Sequence, residues 1–250
     1  MRHSRPAIAL AVALLAFPAL AGAQSSPDFL FGSPKGMIGV RSGWLFARAD
    51  SELFSFVQRN LTLDRKDFNA PGIGVDVEIA MTPRASIVTG FDFSQASKES
   101  EYRDFVDNQR LPIAQTTRLR ELNLSGSFKF ALTPRGREIS SRAWIPAMAT
   151  PYVGAGGGLL RYEFLQFGDF IDIDTANLDI FTDTLRSNGW TPSAHVFGGV
   201  DVKIWRRMYL SGEARYLWSN ATADADFRDD AIDALDLAGL KATVGLHYMF

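Results

Sequence analysis

The chain of 250 residues contains no cysteine and only three histidines, one of them at position 3. A fold made without cysteine holds together without disulfides and has no thiolate to offer a metal or a substrate. Past the amino terminus no apolar run reaches the length of about 18 residues that a membrane helix needs, so helical spanning is excluded for the body of the chain. Neither sign of charge is in large excess: 26 basic residues face 28 acidic ones, which gives no hint of nucleic-acid binding. Alternation, by contrast, is abundant.

The amino terminus reads as an export signal. Met1-Arg2-His3-Ser4-Arg5 precedes an apolar run from Ala7 to Phe17, then Pro18, then the small-residue triplet Ala21-Gly22-Ala23 before Gln24. Cleavage after Ala23 is expected, because the run is short for an anchor helix and ends in proline. Loss of Arg2 and Arg5 leaves 24 basic against 28 acidic residues, a net charge of −4. Residues 24–36 then read as a short tail and 37–250 as a single β domain.

The closing stretch, Leu240 to Phe250, shows the pattern most plainly. Leu240, Ala242, Val244, Leu246, Tyr248 and Phe250 are apolar, while Lys241, Thr243 and His247 fall between them, which is the period of a two-faced strand. Seven earlier segments repeat it. They run from Met37 to Phe46, Gly72 to Met81, Ser86 to Gln95, Glu121 to Leu132, Pro151 to Phe164, Thr191 to Ile204 and Met208 to Trp218. Between the first two, Leu53, Phe56, Val57 and Leu61 recur at helical spacing behind Asp50 or Ser51 as N-cap, so a short loop-packing helix is expected there. Polar stretches, Ala96 to about Ile113, Gln166 to about Trp190 and Ser219 to Asp236, read as long loops, whereas Thr82–Ala85 and Trp205–Arg207 read as turns. The connection from Thr133 to Thr150 is longer than a turn requires, and the sequence supplies no reason for it.

This set resembles the small eight-stranded bacterial outer-membrane β-barrels of the OmpA, OmpX, OmpW and opacity type. The terminal Tyr248-Met249-Phe250 is similar to the signal that the barrel-insertion machinery reads, and Pro151-Tyr152-Val153-Gly154-Ala155-Gly156 is similar to a common strand of that group. The implied fold is an all-β, antiparallel, up-and-down transmembrane barrel, with short periplasmic turns and long outer loops. A lipocalin-like soluble barrel is the structural alternative, because period two defines two faces without saying which is inside. Aromatic residues near segment ends (Trp44, Phe46, Phe93, Tyr152, Tyr162, Phe164, Tyr216, Trp218, Tyr248, Phe250) favour an apolar exterior edged by two girdles.

With that orientation, parity sends Asp76, Glu78, Asp92, Glu121, Glu163, Asp201 and Glu213 into the lumen with Arg41, Lys129, Arg161, Lys203, Arg215 and Lys241. Buried charges persist only when paired, and eight strands leave a lumen barely wide enough for side chains, so a plugged interior is expected.

Parity also places His195 and His247 inside. Ser211, Glu213 and His195 could approach one another, but one polar network is the simpler reading of them than an acyl-transfer triad. Asp169, Asp172, Asp174, Asp179 and Asp183, and further along Asp224, Asp226, Asp229, Asp230, Asp233 and Asp236, form acidic loops without the spacing of a calcium loop; a solvated surface is the default, with divalent cations shared with an anionic leaflet as the rival. Gly154, Gly156, Gly157 and Gly158 have no following helix and so do not make a nucleotide loop. Lys35, Arg84, Arg135, Arg137, Arg142, Arg206 and Arg207 mark the periplasmic side as basic.

What the resemblance implies for function is a non-enzymatic outer-membrane barrel, structural or surface-interacting through long acidic loops, with no cofactor and no wall-binding module after Phe250. Its alternatives are a narrow OmpW-like channel for small hydrophobic molecules, with the helix near Leu53 as a gate, and a lipid-modifying barrel enzyme. Expected partners are outer-membrane lipids and lipopolysaccharide, with the insertion machinery during biogenesis; a monomer is favoured.

Overall fold

The computed structural model describes residues 29–140, 143–171, 179–223, 227 and 234–250. The export signal, Arg142, and the acidic positions Asp172, Asp174, Asp224, Asp226, Asp229, Asp230 and Asp233 lie outside the described residues.

Among the described residues thirteen strands are formed: β1 Leu30–Phe31, β2 Gly36–Ala47, β3 Ala70–Ala80, β4 Ala85–Val106, β5 Pro112–Ala131, β6 Gly136–Ser140, β7 Ala143–Pro146, β8 Ala149–Ile171, β9 Ile180–Lys203, β10 Met208–Trp218, β11 Asn220–Thr222, β12 Ala234–Asp236 and β13 Gly239–Met249, with one α-helix, α1 Glu52–Asn60. Eight of them close a barrel in the order β10-β13-β2-β3-β4-β5-β8-β9. Every neighbouring pair is antiparallel, and the ring is sealed by β13 on β2, from Gly239 opposite Ala47 to Met249 opposite Met37. Both ends of the barrel's path therefore meet at one rim, where the Lys35 N–H donates to the Phe250 carbonyl at 2.8 Å. These are the eight predicted segments.

Burial alternates along each strand with the predicted sense on seven of the eight. Ile38, Val40, Ile73, Val75, Ile87, Leu124, Phe128, Val200, Leu210, Val244 and Leu246 are exposed, whereas Arg41, Asp76, Glu78, Asp92, Lys129, Asp201 and Arg215 are buried. An apolar band that encircles the barrel is far beyond the few hundred Å² a water-soluble monomer exposes, and it has the form of a lipid-facing exterior. The barrel is thus of the transmembrane kind, with charge inside.

The eighth strand, β8, is inverted relative to expectation. Val153 and Leu159 point outward, while Tyr152, Leu160, Tyr162 and Phe164 are buried. Arg161 is exposed and Glu163 half-buried on the outer face, so neither belongs to the lumen, and Tyr152, Tyr162 and Phe164 belong to no girdle. Both faces of this strand are apolar for much of its length, so period two alone leaves their sense undetermined. The glycines on the inner face make room: a Cβ on Gly154 would run into the Phe197 ring, and one on Gly158 into the Leu124 carbonyl oxygen.

Four strands are much longer than the membrane requires. β4, β5, β8 and β9 have 22, 20, 23 and 24 residues, against about 10 for a tilted crossing, so half of each stands above the band. The stretches expected as loops, Ala96–Ile113 and Gln166–Trp190, are largely ladder. Their inner face is buried but carries small or polar side chains such as Ser100, Gln115, Thr117, Gln166 and Ser187, so the apolar–polar alternation that marks a half-buried strand fades while backbone pairing continues. The β4–β5 hairpin closes at Asp107, whose carboxylate accepts from the N–H groups of Gln109 at 2.8 Å and Leu111 at 2.7 Å, with Arg110 at φ +64°.

The long connection from Thr133 also gains its reason. It holds β6 and β7, which join β1 in a three-stranded sheet, order β1-β7-β6, at the rim where β2 begins and β13 ends. Leu30 and Trp144 of that sheet bury against Met37, Tyr209 and Met249 of the barrel, closing its lower end.

Candidate functional site

Among the described residues the lumen is where the fold gathers chemistry-bearing side chains from several strands, and it is arranged in layers. Near the lower end, Lys129 of β5 donates to Glu78 Oε2 of β3 at 2.9 Å and to Asp201 Oδ2 of β9 at 2.8 Å. The same ammonium lies 3.8 Å from the centroid of the Tyr152 ring. Glu78 also accepts from Ser86 Oγ at 2.7 Å and from Arg135 Nη1 at 2.7 Å. Arg135 comes from the connection before β6 rather than from a barrel strand, so it ties the small sheet to the lumen instead of serving as a solvated rim charge.

Higher up, Arg41 of β2 donates to Asp92 Oδ2 at 2.8 Å and approaches Asp76 at 3.6 Å and Glu213 at 3.8 Å. Arg215 donates to Glu213 Oε1 through Nε at 3.0 Å, and Tyr152 OH donates to Glu213 Oε2 at 3.2 Å. Lys241 stands 3.6 Å from Asp92, and His247 Nε2 lies 3.1 Å from Asp76 Oδ2. Glu121 borders a cavity of about 20 Å³ with Asp92, Arg215 and Lys241, and Lys203 sits half-buried at the lower rim. Asp76, Glu78, Asp92, Asp201 and Glu213 are thus set against Arg41, Lys129, Arg215, Lys241 and Arg135. Balanced charges at these distances stabilise one another where single ones would be too costly to bury.

Above the charged layers the interior turns apolar. Leu119, Leu160, Tyr162, Phe164 and Leu217 point inward and pack under Leu53, Phe54 and Val57 of α1, with Phe68, Phe227, Leu235 and Leu237 completing the cluster. Phe54 is fully buried; its ring meets Phe68 at 4.7 Å and Phe164 at 5.8 Å between centroids. Tyr162 OH donates to the Thr222 carbonyl at 2.9 Å, fastening β8 to the loop that carries β11. Ser51 takes the N-cap position of α1, without a side-chain hydrogen bond. The expected helix is present, and it is a roof.

Among the described residues neither histidine is hydrogen-bonded to both a serine and an acid: His247 pairs with Asp76 alone, and its Nδ1 has no hydrogen-bond partner. His195 Nε2 is 2.8 Å from Ser127 Oγ, not near Ser211 as a partner, and its Nδ1 has no hydrogen-bond partner among the described residues. His195 is 1% exposed. Among the described residues no group of three or more His, Asp or Glu is placed to hold a metal ion.

Tyr152, Arg135 and Ser127 are the contributors that pattern reading missed. Tyr152 was hidden by the two apolar faces of β8, and Arg135 lies in a connection with no period. Ser127 was legible by parity as inward but had nothing to mark it as the partner of His195.

No protein-family model matches the chain, and no curated protein matches it. Solved structures that it matches include small outer-membrane β-barrels. Neisserial surface protein A is 8% identical, with 89% of this chain and 97% of that one covered and a TM-score of 0.48. The outer membrane protein OprG from Pseudomonas aeruginosa is 11% identical over 88% of this chain and 99% of that one, with a TM-score of 0.45. The attachment invasion locus protein Ail of Yersinia pestis, in complex with a heparin analogue, is 10% identical over 86% of this chain and 99% of that one, with a TM-score of 0.38.

Proposed function

We propose that the chain is a sealed, non-enzymatic barrel of the bacterial outer membrane that anchors two long hairpins, β4–β5 and β8–β9, above the outer leaflet. The observation that carries this reading is the pairing of an apolar exterior with a lumen closed three times over: by the β1-β7-β6 sheet below, by ion pairs in the middle and by α1 above. Two cavities within the charged layer, among the described residues, measure about 20 Å³ each, room for about one water apiece. A structural or surface-contact role follows from that, with the hairpins as the contacting elements.

Two measurements test it together. In native cells the protein is expected in the outer-membrane fraction, with a gel mobility that changes on boiling as the barrel unfolds. In planar bilayers the purified barrel is expected to stay closed. Stable unitary conductance, or uptake of a small apolar solute that stops when α1 is tethered to β8, would replace this reading with that of a channel.

A further inference from the structure

The polarity of the barrel reverses above the apolar band, and the reversal builds a feature that neither the lumen nor the loops explain. On the outer face of β5, β8 and β9 the register sets Arg118 beside Leu165 and Arg186, Arg120 beside Glu163 and Asn188, and Leu122 beside Arg161 and Trp190. The next row down is Leu124, Leu159 and Pro192, part of the band. Strand spacing of about 4.8 Å and about 6.6 Å between same-face residues puts the four arginine backbones within roughly 10 by 13 Å. Within these rows Glu163 is the one acid that opposes them, accepting from Arg120 at 3.2 Å and paired with Arg186.

We propose that this patch binds the phosphate groups of anionic lipids in the outer leaflet. It rests on the reading that the barrel sits in that membrane. Three observations favour lipid phosphate. The arginines begin one row above the hydrocarbon-facing leucines, at headgroup depth. Two of them lie over aromatic rings, Arg161 at 5.7 Å from the Trp190 centroid and Arg118 at 5.6 Å from Phe167, which holds each guanidinium plane against the barrel. Arg118 Nε is buried and has no hydrogen-bond partner among the described residues. Guanidinium forks grip phosphate oxygens in pairs, and an arginine beside tryptophan at the band's edge is the usual arrangement at an interface.

The test uses the whole barrel folded in detergent micelles and titrated with bisphosphorylated lipid A, with the dephosphorylated lipid as the matched probe. Tighter binding of the phosphorylated form is expected, and Arg161→Gln, which leaves Glu163 and its two partners intact, should weaken it about fivefold. Arg120→Gln, Arg161→Gln and Arg186→Gln together should weaken it roughly a hundredfold if their effects are independent. Glu163→Gln should tighten it, a direction that a purely structural role for Glu163 does not produce. Equal binding of the two lipids, or full competition by millimolar inorganic phosphate, would overturn the lipid site while leaving the barrel reading intact. Recovery of the mature chain in the soluble fraction without detergent would instead overturn the reading beneath it.

Discussion

Replacing Lys129 with methionine separates the electrostatic content of the lumen from its packing. Methionine keeps most of the aliphatic stem and removes the ammonium that bridges Glu78 at 2.9 Å and Asp201 at 2.8 Å and covers the Tyr152 ring. Glu78 retains Ser86 and Arg135, whereas Asp201, whose Oδ1 has no partner among the described residues, loses the cation that neutralises it. Breaking a buried pair and leaving one charge uncompensated costs about 3–5 kcal/mol. The expected loss for Lys129→Met lies in that range, read as a lower urea midpoint for barrel unfolding in lipid vesicles, with gel mobility as the second probe. Adding Asp201→Asn removes the stranded charge and should restore about 1–3 kcal/mol. A loss below about 1 kcal/mol, or a double variant less stable than the single one, would refute the reasoning, because it would mean that these groups are solvated.

Phe54→Ala removes the centre of the roof and is expected to cost about 3–5 kcal/mol in the outer cluster, seen as faster proteolysis within 48–69 and as flickering conductance in bilayers. Val153→Arg places a cation on the outer face of β8 and should destabilise the barrel by about 2–4 kcal/mol in urea titrations, an effect absent if Val153 faced the lumen's carboxylates. Gly158→Val drives side-chain atoms into the Leu124 carbonyl oxygen, which leaves no space for even a Cβ, and the barrel is expected to fail to reach its heat-modifiable form on refolding.

Most of the barrel was legible because seven strands carry a polar inner face and an apolar outer one, and hydrocarbon outside with paired charge inside enforces that contrast. Gly72 to Met81 is the plainest case: Asp76 and Glu78 could only be inside. Reading failed where the surroundings change along one strand. At Leu160, Tyr162 and Phe164 the interior is roofed by α1 and dry, while outside Arg161 and Glu163 have left the hydrocarbon, so the polarity runs opposite to that of the band. Assigning those charges to the lumen carried the rule of the membrane segment past its end. The same change explains Leu119 inside and Arg118 and Arg120 outside on β5. The small sheet was illegible for a different reason: β1 and β7 are two and four residues long, too short for any period to show.

The central claim is the direction of the side chains, and the absence of native cysteine allows it to be measured without background. Single-cysteine variants Val153→Cys, Val200→Cys and, at the exposed end of the β4–β5 hairpin, Val106→Cys, each carrying a fluorophore and folded into vesicles, would be quenched by brominated acyl chains or by aqueous iodide. The account predicts strong acyl-chain quenching at 153 and 200 and iodide quenching at 106. Iodide quenching at 153 and 200, with no acyl-chain quenching there, would contradict it.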